Sequence, residues 1–196
     1  MKYKISITGL LQFTALLLWL APATAQVKYE REYSIKETQV PPDALSFVNE
    51  IFKDVKINWF AEENLTGTYI EAKVKYSGKQ YSIEFSDSGK ILDVEILTKF
   101  KGLPENTRDL ITTKLKEEFK NFKIVKTQIQ WIGSRDLLKA ALSNKKLPME
   151  VIIHYELIVR AKKNELSKYH EVLFDQSGNI KSIREIVQGN VDNLVY

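Results

Sequence analysis

The sequence predicts an α+β protein of two tandem units, each an N-terminal helix packed on an antiparallel sheet of about four strands. Three observations carry this expectation. The 196 residues are 44% hydrophobic and 11% aromatic, with only 8 Gly and 5 Pro, a composition suited to a packed chain and not to a disordered or fibrous one. Phe85-Ser86-Asp87-Ser88-Gly89-Lys90-Ile91 is echoed 89 positions later by Phe174-Asp175-Gln176-Ser177-Gly178-Asn179-Ile180. An apolar stripe at helical spacing, entered through proline, lies upstream of each echo.

The first 25 residues are set apart from the fold. Lys2 and Lys4 precede an apolar run from Ile5 to Leu20, and Pro22 leads into Ala23-Thr24-Ala25, a small-x-small cleavage pattern. This reads as a signal peptide cleaved after Ala25, giving a periplasmic or secreted product. The competing reading is a membrane anchor, since about 20 apolar residues can span a bilayer. Cleavage removes two lysines and no acids, leaving 27 basic against 25 acidic residues. That balance is too nearly neutral for a nucleic-acid footprint. With no cysteine, disulfides, thiolate metal sites and cysteine nucleophiles are excluded. Export without cysteine suits a bacterial envelope better than a disulfide-stapled secreted domain.

Residues 26–40 form an N-terminal segment with weak alternation through Val27, Tyr29 and Tyr33, enough for an edge strand or a loose arm. The first unit, 41–100, opens at Pro41-Pro42. Ala44, Phe47, Val48, Ile51 and Phe52 then fall on one helical stripe, with Asp43 in the first turn. Ile57-Asn58-Trp59 reads as a strand. Next, Ile70, Ala72, Val74 and Tyr76 alternate with Glu71, Lys73 and Lys75, and Ser77-Gly78 turns into Tyr81, Ile83 and Phe85. The second unit, 101–187, opens at Leu103-Pro104-Glu105, with Leu110, Ile111, Leu115, Phe119 and Phe122 as its apolar side. Ile129-Gln130-Trp131 follows. An insertion at 132–149 predicts a short helix over Asp136 to Leu142, and Ile153, Tyr155, Leu157 and Val159 then alternate with His154, Glu156 and Arg160. Residues 188–196 read as a tail. In each echoed turn, glycine supplies the positive φ that closes the hairpin.

The order Val-Pro before an amphipathic helix, an Ile-x-Trp strand, a Glu-x-Lys-x-Lys strand, then Tyr-Ser-Ile-Glu-Phe with a Ser-Gly turn and Ile-x-x-Val resembles the PepSY-like family of exported Bacteroidetes proteins. The resemblance covers Gln39 to Leu97 well and Leu103 to Ile186 more loosely. It implies a β-lactamase-inhibitor-protein-like fold and a non-enzymatic periplasmic or secreted protein that binds or inhibits another protein. No catalytic residue comes across with it, because its motifs are structural.

The residues themselves offer no catalytic constellation, no cofactor motif and no metal site. His154 and His170 lie at unrelated places on opposite strand faces, a poor zinc pair. No Gly-x-Ser-x-Gly elbow and no phosphate-binding glycine pattern is present. Asp87-Ser88-Gly89 and Asp175-Gln176-Ser177-Gly178 are turn chemistry, since their acids fall at different repeat positions. Glu62-Glu63 and Glu117-Glu118 are expected on solvated faces, and the lysines from Lys114 to Lys126 on a solvent-facing helix side. Two functional classes remain. The first is a protein-binding module whose partner is another envelope or secreted protein, with Trp59, Phe60, Tyr69 and Trp131 as candidate anchors. For Trp59 and Trp131 the competing reading is that they fill the core between helix and sheet. The second class is a small-molecule-binding protein or enzyme with its site between the two units. It predicts a deep pocket with convergent polar groups, where the first predicts a broad apolar patch.

Overall fold

The computed structural model describes residues 26–28, 30–143, 147–163 and 166–187. The signal peptide expected at 1–25 and the tail expected at 188–196 lie outside them. Two short strands come first, β1 (Gln26–Lys28) and β2 (Glu30–Ser34), followed by α1 (Pro42–Ile51). Then come β3 (Ile57–Asn64), β4 (Gly67–Tyr76), β5 (Lys79–Ser86) and β6 (Ile91–Thr98). The rest of the chain is α2 (Glu105–Glu118), β7 (Phe122–Ile132), α3 (Arg135–Ser143), β8 (Ile152–Lys163), β9 (Leu166–Asp175) and β10 (Ile180–Ile186).

The expectation of two tandem units with separate four-strand sheets is corrected here. The strands form one sheet in the order β1-β10-β9-β8-β7-β6-β5-β4-β3-β2. Strands β6 and β7 pair antiparallel from Asp93↔Ile132 to Thr98↔Thr127, so the chain re-enters the same sheet after α2 instead of starting another. All neighbours are antiparallel except β1, which runs parallel to β10. The loose N-terminal segment supplies the last piece. Lys28 lies opposite Ile186 at the end of β10, and Glu30 lies opposite Asn64 at the end of β3. Strands β1 and β2, neighbours in sequence, thus sit at the two opposite margins of the sheet, and the sheet rolls into a hollow. Register shifts at Glu84/Phe85, Ile124/Lys126 and Ile180/Ser182 mark bulges that bend the strands toward this closure.

The helices cover the outer face. Under α1 and α3, Phe47, Val48, Trp59, Ile83, Phe85, Val94 and Leu138 form one apolar cluster. Under α2, Ile111, Leu115, Tyr155, Leu157, Val159, Val172 and Phe174 form another. Helices α1 and α3 lie side by side. The Arg135 guanidinium sits 5.0 Å from the centre of the Phe47 ring and donates to the Asp43 carbonyl at 3.0 Å, and Lys139 pairs with Glu50. Two details of the α2 stripe are corrected. Phe119 takes extended backbone and ends the helix, so Phe122 opens β7. Leu110 is 50% exposed because it lies at the helix margin, against the turn at Gly178.

The two echoed turns close alike. Gly89 donates to the Ser86 carbonyl at 2.9 Å and Gly178 to that of Asp175 at 3.0 Å, with φ of +86° and +78°. Each glycine also presses on a helix. A Cβ on Gly89 would come 2.8 Å from Pro41 Cβ, and one on Gly178 would come 2.9 Å from Leu110 Cβ. Glycine is therefore required twice over, for backbone conformation and for close approach.

Candidate functional site: a polar hollow inside the sheet

Strand side chains alternate between faces, so each strand that gives apolar residues to the core gives its other set to the hollow. The hollow-facing set comprises Phe60 and Glu62 on β3, Tyr69, Glu71 and Lys73 on β4, and Ser82 and Glu84 on β5. Asp93 and Glu95 on β6, Lys126, Gln128 and Gln130 on β7, and Glu156 and Ile158 on β8 continue it. Glu171 on β9, Arg184 on β10, Lys28 on β1, and Glu30 and Glu32 on β2 complete the wall. They surround a cavity of about 360 Å³ that continues into a second of about 430 Å³, where Phe60, Tyr81 and Leu97 add apolar surface.

Nine carboxylates line the first cavity against four cations. Four of the nine are ion-paired. Glu171, only 1% exposed, is held between Lys28 and Arg184 (2.8 Å), and Lys28 also reaches Glu30 at 2.7 Å. Lys73 bridges Glu32 at 2.5 Å and Glu71 at 3.2 Å, with its ammonium 4.6 Å from the centre of the Phe60 ring. Burial alone would lower the pKa of Lys28, but the carboxylates of Glu171 and Glu156 outweigh it and hold the ammonium above its usual range.

The other five, Glu62, Glu84, Asp93, Glu95 and Glu156, form no salt bridge among the described residues. Two glutamines of β7 serve two of them instead. Gln130 Nε2 donates to Asp93 Oδ2 at 2.9 Å, Gln128 Nε2 donates to Glu95, and the Gln130 carbonyl oxygen lies 3.2 Å from His154 Nδ1. Register makes the crowding worse. Glu71, Glu84 and Asp93 stand directly opposite one another on β4, β5 and β6, and Glu32 stands opposite Glu62. Like charges so placed repel. Burial and then Glu62 push the Glu84 carboxyl up to about 7. Burial and then Asp93 push Glu95 up to about 8. Asp93 and Glu156 are held well above the ordinary carboxyl range, first by burial, then by Glu84 and Glu95 respectively. Near neutral pH these acids retain protons, which brings the hollow close to charge balance.

No family model and no curated protein matches the chain. Among solved structures it is similar to a BLIP-like protein from Bacteroides fragilis, at 14% identity and a TM-score of 0.48, covering 78% of this chain and 90% of that one. It is also similar to DUF2874 family proteins from Bacteroides ovatus and Bacteroides uniformis. The first is 11% identical with a TM-score of 0.48, covering 74% of this chain and 88% of that one. The second is 13% identical with a TM-score of 0.47, covering 74% and 89%. The likeness to the PepSY-like family remains a resemblance. At such identities, what the chain does has to be read from its own side chains.

The four aromatic anchors expected from sequence fall on opposite faces of the sheet. Trp59, 5% exposed, lies in the core beneath α1, with its ring 6.3 Å from that of Phe85. Trp131 packs half-buried against the same core. Phe60 and Tyr69 face the hollow, where the Tyr69 hydroxyl lies 2.9 Å from Thr66 Oγ1. His170 is buried on the helix side, 5.0 Å from the Phe119 ring, while His154 lies on the hollow side, so the histidines do not converge. Among the described residues no group of three or more His, Cys, Asp or Glu is arranged to hold a metal ion.

Sequence reading missed the hollow itself. Glu62 was expected on a solvated face and instead lines the cavity. The readable signal was an acid or amide at the hollow-facing positions of strand after strand, 71, 84, 93, 95, 128, 130, 156 and 171, where solvated strands would carry more lysine.

Proposed function

We propose that the protein is an exported, non-enzymatic binding protein that takes a small soluble ligand into the polar hollow of its sheet. The observation that carries this reading is the cavity of about 360 Å³ with polar groups converging from every strand, five of its carboxylates lacking an ion-pair partner among the described residues. The volume falls in the range of small-molecule sites, and such sites combine a recess with a few directed polar groups. An exposed aromatic patch would favour a protein partner, but Trp59 and Trp131 lie on the core side and Phe60 and Tyr69 on the hollow side. A buried carboxylate without a cation costs stability, and a fold that keeps several is using them.

The test is a thermal-shift and calorimetric survey of the secreted chain against cationic, neutral and anionic metabolites, repeated with Ser82→Trp. Ser82 lines both cavities and its hydroxyl donates to Glu71, so a tryptophan there fills the recess. A compound that binds the parent chain and not the filled variant is the expected result. Ligand binding that persists undiminished in Ser82→Trp refutes the assignment.

A further inference from the structure

The arrangement of the acids narrows the ligand to one chemical class, an inference that rests on reading the hollow as a ligand site. Neighbouring strands lie about 4.8 Å apart, and directly opposed side chains about 5 Å. Glu71, Glu84 and Asp93 therefore form a ladder of carboxylates with rungs about 5 Å apart. Lys73 and the Ser82 hydroxyl serve the Glu71 rung. The Glu84 and Asp93 rungs, with Glu95 two residues along β6 and Glu156 two strands away, form no salt bridge among the described residues, and Lys28 and Lys126 act on Glu84, Glu95 and Glu156 only from a distance.

A second observation is independent of charge. Asp93 is 8% exposed, and while its Oδ2 accepts from Gln130, its Oδ1 meets no donor among the described residues, although buried acceptors are ordinarily paired. Asp93 itself lines the cavity. The wanted group carries positive charge and N–H donors, and repeats at the spacing of strands. An anion fails on charge. The acids are not grouped as metal ligands.

We propose that the hollow binds a linear aliphatic polyamine, its ammonium groups donating to Glu84, Asp93, Glu95 and Glu156 and its methylene spacers lying along Leu97 and Ile158. Ammonium groups separated by three or four carbons match the ladder spacing, and the two apolar side chains line the recess where spacers would run. The protons that Glu84 and Glu95 hold near neutrality are what the ligand displaces. Each ammonium donates one N–H to a carboxylate, and the displaced proton leaves to solvent. The charged groups that face these acids from neighbouring strands are Glu62, Glu71, Lys28, Lys126 and Glu171.

Isothermal titration of the secreted chain with spermidine and with 1,4-diaminobutane tests this, using two buffers of different ionisation enthalpy near pH 7.5. Mg²⁺ and succinate serve as comparison ligands. Saturable one-to-one binding of spermidine with release of about one to three protons is expected. Glu84→Gln and Glu95→Gln should each weaken it about tenfold or more while the variants stay folded by circular dichroism. Glu105→Gln, on α2 away from the hollow, should leave it unchanged. Mg²⁺ binding as tightly and displacing spermidine overturns the polyamine assignment, since the hollow is then a general cation sink. Succinate or a neutral compound binding where no amine does overturns the ligand class and leaves the hollow standing as a site. Failure of every compound tested here and in the wider survey removes both.

Discussion

Glu95→Gln should make the protein more stable, by a margin that opens above about pH 4.5 and is full near pH 8. The Glu95 carboxyl titrates at 4.5 when unfolded and at about 8 in the hollow, raised first by burial and then by Asp93. Below about pH 4.5 both states are protonated and the group contributes nothing. As pH rises toward 8, the unfolded chain releases the proton while the folded chain keeps it, so the native state loses ground, fully so above the folded value. At 1.36 kcal/mol for each pH unit, the displacement converts to about 5 kcal/mol. Glu95 is half-buried, and solvent screening at the cavity reduces the expected cost to about 2 kcal/mol. Glutamine has no proton to lose, and its side-chain oxygen still accepts from Gln128. Urea unfolding followed by tryptophan fluorescence should give equal stabilities for parent and variant near pH 5 and a gap of about 2 kcal/mol near pH 8.5. A parent whose stability is level between these values, or a variant that declines in parallel with it, refutes the account of the hollow.

Other changes probe the closure, the turns and the core. Lys28→Met removes one partner of Glu171 and should cost about 3 kcal/mol, with faster amide exchange along β10 and β3; unchanged exchange would mean that β1 does not hold the margins together. Gly78→Ala forces φ of +75° in open space and should cost about 1 kcal/mol. Gly89→Ala adds the clash with Pro41 and should cost about 2 kcal/mol or more by thermal unfolding, so equal losses would show that the turn does not bear on α1. Trp59→Ala should cost about 4 kcal/mol by urea unfolding, as a core aromatic does; a loss under about 1 kcal/mol would place it outside the core.

Much of the local structure is legible in the sequence because it is set by short-range chemistry. Proline at the head of α1 and α2, the spacing of Ala44, Phe47 and Val48, and the Asp136 to Leu142 helix all appear where the pattern puts them. Alternation at Ile70, Ala72 and Val74 identifies the core face of β4. What alternation cannot say is what the other face meets. Glu71 and Lys73 carry the same pattern whether that face looks at water or at the far side of a curled sheet. Curling depends on pairings distant in sequence: β6 with β7 across α2, and β1 with β10 across nearly the whole chain. The three residues of β1 carry almost no pattern of their own, and those pairings decide that there is one sheet and not two. The candidate site was hidden for the same reason, because its acids lie one or two to a strand and come together only when the sheet rolls.

Period-two alternation also separates two tasks that share the same strands. Side chains at even steps fix the helices in place, and those at odd steps meet only one another and whatever enters. Glu84, Gln128 and Glu156 line the hollow and belong to neither apolar cluster, so a point change there alters the lining and leaves the side chains packed under Phe47 and Phe174 the same. On the ligand reading proposed above, such an architecture can exchange one guest for another by drift at a few inward positions while its outer shell stays as it is, a natural starting point for laboratory evolution of new receptors.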